Sequence, residues 1–199
     1  MASNEETPRR GRGRPPGNRR DEILRAALEV FAESGFNGAS LATVAERVGL
    51  TQQGLLHYFP SKQQLLVAML DKRDELDRQP QRFSPEELVN VVQRNAERPG
   101  IVQVYTVLSA ESVTENHPAR EHFAARFADV RQRFAAILRE KYGDHLPGGV
   151  SADEGATLLV AVMDGLQLQW LHAPDEIDMP DSVAAMLRLM TGDSVLSGE

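Results

Sequence analysis

Apolar residues recur at helical spacing through most of the chain, and the first such pattern lies between Asn18 and Gly35. Asn18 is a suitable N-cap, and Gly35 is a natural stop at the C-terminal end. The apolar positions between them fall on one face of a helix. This face consists of Ile23, Ala27, Val30 and Phe31.

Two short helices and a longer one are predicted next. Ser40 can cap a second helix, Gly49 allows a tight turn, and Thr51 can cap a third helix. A capping box that begins at Ser61 starts a fourth helix, which runs towards Asp77. Helix, turn and helix within so few residues predict a helix-turn-helix.

Beyond Pro80 the pattern predicts helices alone, and no segment alternates as a strand does. They start at Ser84 and span about 101–116, 117–143, 151–170 and 181–190. We therefore predict an all-α fold, with an N-terminal three-helix helix-turn-helix domain over 18–62 and a larger helical domain over 63–199. Residues 1–17 are polar and rich in Pro, Gly and Arg, which predicts a disordered basic arm.

Charge divides the chain into a basic front and an acidic body. The net charge is −7, yet residues 9–20 hold six arginines and no acid. From residue 81 onward there are 10 basic and 18 acidic residues. Any polyanion should therefore bind at the front. The lack of cysteine excludes disulfides, and the lack of a secretory signal or a membrane span predicts a cytoplasmic protein without a membrane partner.

The third predicted helix has an unusual surface, because residues 51–58 carry no acid. Its N-terminus favours a phosphate, and the amides of Gln52 and Gln53 can bind base edges in the major groove. Phosphate contacts are predicted for Thr51, His57, Tyr58 and Lys62. The alternative is a capped structural helix whose polarity has no function.

Two segments, "ILRAALEVFAESGFNGASLATVAERVGL" and "TQQGLLHYFPSKQQLL", resemble the DNA-binding domain of the tetracycline-repressor (TetR) family of bacterial transcription regulators. The ending "YFPSK" is highly specific for that family. The resemblance implies that Thr51 starts the recognition helix, that Gln52 and Gln53 read bases, and that His57, Tyr58 and Lys62 contact phosphate. It also implies that Ser40 caps the second helix near the DNA backbone. Gly54 and Leu56 depart from the usual residues, which leaves contacts at those two positions open.

The arm contains Arg12-Gly13-Arg14-Pro15, which resembles the AT-hook core. Arginines in that core lie in a narrow minor groove of enhanced negative potential. Arg12 and Arg14 are therefore candidate minor-groove contacts. A merely solubilising tail is the alternative.

The body offers a possible effector pocket with apolar walls, and the family uses this region for effectors. The candidate lining residues are Met69, Tyr105, Phe123, Phe127, Phe134, Met163 and Trp170, with Gln167 and His122 as polar anchors. A small hydrophobic or aromatic molecule would suit such walls. The alternative is a core filled by these same side chains.

The helix over 151–170 is apolar on more than one face, which predicts burial on both sides. With the last helix it resembles the family's dimer interface. The candidate interface residues are Leu158, Ala161, Gly165, Leu168, Val183 and Leu187. In the alternative, the protein is a monomer and loops cover these faces.

Together these observations predict a homodimeric, ligand-responsive regulator that binds a palindromic operator in double-stranded DNA, with repression expected from family tendency. We expect no cofactor, no metal and no catalytic residue, because no metal-ligand spacing, phosphate loop or nucleophile motif is present. Two rivals are an all-α enzyme and a minor-groove architectural protein that binds mainly through its arm.

Overall fold

The computed structural model describes residues 16–77 and 84–192, and these residues form nine α-helices without a β-strand. The N-terminal helices are α1 (Pro16–Gly38), α2 (Leu41–Arg47), α3 (Gln52–Leu56) and α4 (Lys62–Asp77). The others are α5 (Pro85–Ala96), α6 (Pro99–Glu111), α7 (Arg120–Tyr142), α8 (Ala152–His172) and α9 (Met179–Thr191). The predicted all-α class is confirmed. Most of the predicted arm lies outside the described residues; its last two, Pro16 and Gly17, begin α1.

Short side chains define the starts of α2 and α3 in the N-terminal part of the chain (α1–α4, the head), as their positions in the sequence predict. The prediction for α1 is wrong: this helix begins at Pro16, so the expected N-cap Asn18 lies inside it, and it continues past a kink at Gly35 to Gly38. Ser40 accepts a hydrogen bond from the Thr43 amide, and Thr51 Oγ1 accepts one from the Gly54 amide at 3.0 Å. The turn between α2 and α3 passes through Gly49, whose φ of 65° favours glycine. These contacts join residues that are near one another in the sequence, so the starts of the helices and the turn between them are defined locally.

The apolar face of α1 is buried as predicted. Together with side chains from α2, α3 and α4 it forms the core of the head. Residues that are fully or almost fully buried there are Ile23, Ala27, Val30, Phe31, Val44, Ala45, Leu55, Phe59, Leu65 and Leu66. The same cluster extends to Val104 and Leu108 of α6, so α6 of the body packs directly on the head.

Several predicted helix boundaries are wrong, and each has a local cause. The sixth helix begins at Pro99 and ends at Glu111, because proline fits a first turn and a turn with Asn116 at φ 61° follows. The seventh begins at Arg120 rather than His117. The ninth begins at Met179, since Asp178 caps it by accepting from the Asp181 amide.

A second core holds α5, α7, α8 and α9 together. At the start of α8 the predicted capping box is present: Ser151 Oγ accepts from the Glu154 amide, and the Glu154 carboxylate accepts from the Ser151 amide. Two fully buried residues of α9, Val183 and Leu187, belong to this core. The body is therefore a packed helical bundle on which the head sits.

Candidate nucleic-acid interface

The exposed face of α3 is a polar surface without acids. Thr51, Gln52, Gln53 and His57 are exposed, whereas Leu55 is fully buried and anchors the helix in the head. Both glutamine side chains lie in the first turn, next to the free amide groups of a helix N-terminus. The structure thus places the predicted base-reading residues together on an accessible surface.

Gly54 lies against the cap of its own helix. Its amide donates to Thr51 Oγ1, and a Cβ at this position would lie 3.3 Å from that same oxygen. The equivalent positions after Ser40 and Ser151 carry Thr43 and Glu154, so a cap of this kind also forms beside a side chain.

Two arginines of α1 donate hydrogen bonds to backbone carbonyls that follow α2 and α3. Arg19 donates to the Val48 carbonyl, and Arg20 donates to the Tyr58 carbonyl at 3.1 Å. The Arg20 guanidinium also lies 4.2 Å from the Phe59 ring centre. The candidate minor-groove residues Arg12 and Arg14 lie outside the described residues, so their DNA contacts stay a prediction.

Lys62 makes hydrogen bonds within the head that its sequence motif does not predict. Its ammonium donates to the Phe36 carbonyl at 2.8 Å and to the Ala39 carbonyl at 3.0 Å. It also lies 4.5 Å from the Phe36 ring centre. These contacts join the start of α4 to the turn between α1 and α2, so in the free protein Lys62 holds the head together. The ammonium has one further N–H group, and the predicted contact with a DNA phosphate would use it while these two hydrogen bonds are kept.

Two acids of α1 share one arginine of α2. Arg47 forms ion pairs with Glu33 and, at 3.2 Å, with Glu29. The hydrogen bond that Arg47 donates to Glu33 is the main cause that raises the pKa of Arg47. One guanidinium therefore offsets part of the negative charge of the two carboxylates beside α2.

The candidate residues of the predicted apolar pocket lie in or against the two cores. Met69, Phe123 and Phe134 are buried there, and Tyr105 packs edge-on against Phe123 at 5.9 Å. The other candidates, Phe127, Met163, Gln167 and Trp170, are half-buried. Protein atoms cover the first three side chains, which favours the filled-core alternative for them, and the apolar pocket stays a prediction.

A different cleft, of about 510 Å³, opens between α4 and α7. None of the eight candidate pocket residues lines it, but His122, the second proposed polar anchor, does. Its charged lining residues are Asp71, Asp74, Glu121, Asp129, Arg126 and Arg133. Four carboxylates against two guanidinium groups give the cleft an excess of negative charge.

Asp74 is the most buried carboxylate of this cleft. Burial opposes its ionisation, but the His122 ring, whose Nε2 lies 3.3 Å from Asp74 Oδ2, and the charge of Arg126 outweigh burial, and the net effect lowers the pKa of Asp74. Tyr105 Oη donates to Asp74 Oδ1 at 2.8 Å. Burial and this neighbouring carboxylate raise the pKa of Tyr105, which keeps the phenol protonated as a donor. Asp74 thereby links α4 to both α6 and α7.

The candidate dimer residues divide into an exposed group on α8 and a buried group on α9. Leu158 and Leu168 of α8 are 41% and 50% exposed, Ala161 is exposed, and Gly165 is partly exposed. Val183 and Leu187 were assigned wrongly: both are 0% exposed and face the body core. Sequence reasoning missed Leu189, which is 78% exposed. The apolar stripe of α9 shows which face is buried, so an exposed leucine beside it was the available signal.

In the described part of the chain, no group of three or more His, Asp or Glu side chains is placed to hold a metal ion. No helix there has both the length and the apolar character of a membrane span.

Two family models match the sequence. Residues 23–69 match bacterial regulatory proteins of the tetR family, and residues 86–191 match the C-terminal domain of BetI-type transcriptional repressors. The second match alone spans more than half of the chain.

Individual proteins are similar to this chain in sequence or in fold. The HTH-type transcriptional regulator TtgR of Pseudomonas putida is 28% identical over 176 residues, which cover 80% of this chain and 83% of that protein. A transcriptional regulator of Saccharomonospora viridis, solved in complex with choline, has a TM-score of 0.70 at 24% identity and covers 86% of this chain and 94% of its own. NalD of Pseudomonas aeruginosa, the secondary repressor of the MexAB-OprM efflux pump, has a TM-score of 0.65 at 21% identity, with coverages of 89% and 98%.

Proposed function

Because the chain belongs to the TetR family of bacterial regulatory proteins, we propose that it is a homodimeric repressor that releases an inverted-repeat operator when it binds a small molecule. One observation carries the proposal: α3 presents Gln52 and Gln53 on an exposed, acid-free surface while Leu55 anchors it. A solvated helix without function would not need this combination of anchoring and polarity.

Each recognition helix enters a major groove, where the glutamine amides bind base edges, best in bidentate fashion to adenine. Thr51, His57 and Tyr58 contact the flanking phosphates and fix the register. Arg12 and Arg14 add minor-groove contacts from the arm. Each neutralised phosphate contributes about 0.9 to the slope of affinity against salt.

Two copies associate through α8 and α9, where Leu158, Leu168 and Leu189 leave apolar surface exposed. Such a two-fold arrangement places the recognition helices roughly 34–36 Å apart, one helical turn of DNA. An inverted repeat is the DNA element that matches this symmetry.

Selection of bound sequences from a random double-stranded DNA library tests the operator proposal. We expect the full-length protein to enrich an inverted repeat. On the selected DNA it should protect both half-sites from nuclease digestion, and its affinity should fall steeply as the salt concentration rises. Enrichment of no repeat, or binding that is insensitive to salt, would contradict the proposal. A deletion of residues 1–17 should weaken binding; complete loss would favour the architectural alternative.

The effector site is proposed in the cleft between α4 and α7. The sequence predicted an apolar or aromatic effector, but several of the side chains chosen for it are buried in the cores, whereas the cleft has surplus carboxylates. A ligand with a cationic group fits this charge better. The choline-bound relative has a similar fold, and this supports the choice.

A ligand in this cleft contacts α4, whose first residues pack in the head. The mechanism is a population shift, in which the ligand binds better to a conformer whose heads have the wrong spacing. Coupling of this kind is typically about 1–3 kcal/mol, and DNA must weaken ligand binding by the same factor.

Choline is the probe for this site. We expect it to release the selected operator, and its uncharged isostere, in which carbon replaces the quaternary nitrogen, to do so far less. Asp71→Asn combined with Glu121→Gln should weaken choline binding by roughly 10-fold, because each exposed charge contributes up to about 1 kcal/mol. Glu140→Gln, an exposed acid on α7 outside the cleft, is the control. Equal potency of the isostere would favour an apolar effector.

A further inference from the structure

Gly35 interrupts the regular geometry of α1, and the backbone amide of the next residue, Phe36, donates to a side chain of α6. Gly35 has φ 63° and ψ −176°, which kinks α1 and removes the Phe36 amide from regular helical pairing. This amide donates to Glu111 Oε2 at 2.7 Å. Glu111 is the last residue of α6, so the hydrogen bond joins the head to the body directly.

Gly35 brings the Glu111 carboxylate close to the backbone of α1. A Cβ at residue 35 would lie 2.5 Å from Glu111 Oε1, so the free end of the glutamate side chain would have to move if residue 35 were not glycine. The positive φ of Gly35 also favours glycine. The carboxylate and the kink of α1 are therefore in direct contact.

Two further side chains contact Phe36. Lys62, at the start of α4, binds its carbonyl at 2.8 Å. The His117 ring, which is 4% exposed, packs edge-on against the Phe36 ring at 5.1 Å. Two helices, α4 and α6, and the turn before α7 thus contact one residue near the end of α1.

The His117 ring supports this arrangement in its neutral form. Its Nδ1 accepts from the Ala119 amide at 3.2 Å, so the proton is on Nε2, which lies 4.0 Å from Glu111 Oε2. Burial lowers the pKa of His117, although the Glu111 charge opposes this effect. The ring therefore acts as a packing surface beside the carboxylate.

The helix that carries Glu111 also reaches the cleft. Tyr105 lies six residues earlier on α6, about 9 Å along the helix axis, and donates to Asp74 in the cleft wall. A continuous series of contacts therefore joins Asp74 to Tyr105 and, along α6, Glu111 to Phe36.

We propose that Glu111 is a positioning residue through which the body sets the orientation of the DNA-binding head, by holding the Phe36 amide at the kink of α1. The proposal rests on the proposed function, since it assigns to Glu111 the control of head spacing in the dimer. Glu111 itself contacts no DNA, and its role is carried by Phe36.

Hydrogen exchange on the free, full-length protein tests the contact without DNA. Glu111→Ala should speed exchange of the Phe36 amide by at least about 10-fold, because the amide loses its charged acceptor. Glu111→Gln keeps an acceptor oxygen of the same reach and should restore most of the protection. Glu115→Ala, which removes an exposed acid in the following turn, is the control. Unchanged exchange in Glu111→Ala would overturn the proposal.

The positioning role is tested with the selected operator and with a version lengthened by a single base pair between the half-sites. For the unaltered protein and Glu115→Ala, we expect a clear preference for the selected spacing. Glu111→Ala should reduce this preference at least threefold, and Glu111→Gln should retain it. An unchanged preference in Glu111→Ala would overturn the role even if overall affinity falls.

The two proposals fail in different ways. If the unaltered protein selects no repeat, the proposed function fails and the positioning role falls with it, while exchange at Phe36 still reports the contact. If the unaltered protein prefers its selected spacing and Glu111→Ala does so equally, only the positioning role is wrong. Should Glu111→Ala unfold, Glu111→Met replaces it, since methionine keeps the length of the side chain but has no oxygen acceptor. Loss of spacing preference in Glu111→Met together with its retention in Glu111→Gln supports the role, and retention in Glu111→Met overturns it.

Discussion

Replacing Gln52 and Gln53 together by alanine is expected to lower affinity for the selected operator by roughly 100-fold. Each good bidentate contact to a base contributes about 1–3 kcal/mol of discrimination, so two contacts of modest strength give about that factor. Both side chains are exposed and make no described contact that holds the head together. The loss should therefore appear in titrations of specific DNA and not in thermal unfolding.

A matched pair of glutamines provides the control. Gln63 and Gln64 are exposed in the first turns of α4, in the same head but outside the recognition helix. Their double alanine variant should keep operator affinity within about twofold. Binding to unrelated DNA, which depends on phosphates, should change little in either variant. If the Gln52 and Gln53 variant binds the operator as the unaltered protein does, α3 is not the reading surface.

Introducing glutamate at Leu158 and Leu168 is expected to produce a monomer and to lower operator affinity by at least about 100-fold. In a dimer, binding of one head raises the effective concentration of the other at the second half-site, an effect that commonly reaches this size. Two buried charges on each copy would oppose association, because a carboxylate at an apolar interface has no partner. Sedimentation and DNA titration on the same samples measure both consequences.

Val113→Glu is the control for this experiment, since Val113 is an apolar residue that is 73% exposed and lies in the turn after α6. It should leave the oligomeric state and operator affinity unchanged. If the leucine variant remains dimeric, the interface lies elsewhere on the chain. If it is monomeric and still binds the full operator with undiminished affinity, a two-fold dimer is not the DNA-binding form.

The head was predictable from the sequence because its structure is set by local chemistry. Ser40, Thr51 and Ser61 each accept from an amide three residues ahead, and such caps depend on residues that are near one another in the chain. The buried faces of the first helices also follow from spacing alone. The exposure of Gln52 and Gln53 on α3 follows from the same local pattern.

The body was predicted less well, because its errors concern long-range packing. Apolar spacing shows that Val183 and Phe123 are buried, but it does not show whether the covering atoms belong to this chain, a second copy or a ligand. The cleft was missed because it joins Asp71 and Asp74 of α4 to Glu121 and Asp129 of α7, which are distant in sequence. No local signal relates these carboxylates before the helices pack.

The position of Lys62 has a consequence for attempts to retarget this regulator. The "YFPSK" segment ends in Lys62, whose hydrogen bonds join α4 to the turn between α1 and α2. A match to this segment therefore indicates how the head folds, and it gives no information on which DNA sequence the protein binds. Libraries that seek new operators can therefore vary positions 52 and 53 freely. The same libraries should leave the lysine untouched, because variants at residue 62 would be lost through misassembly before their specificity could be scored.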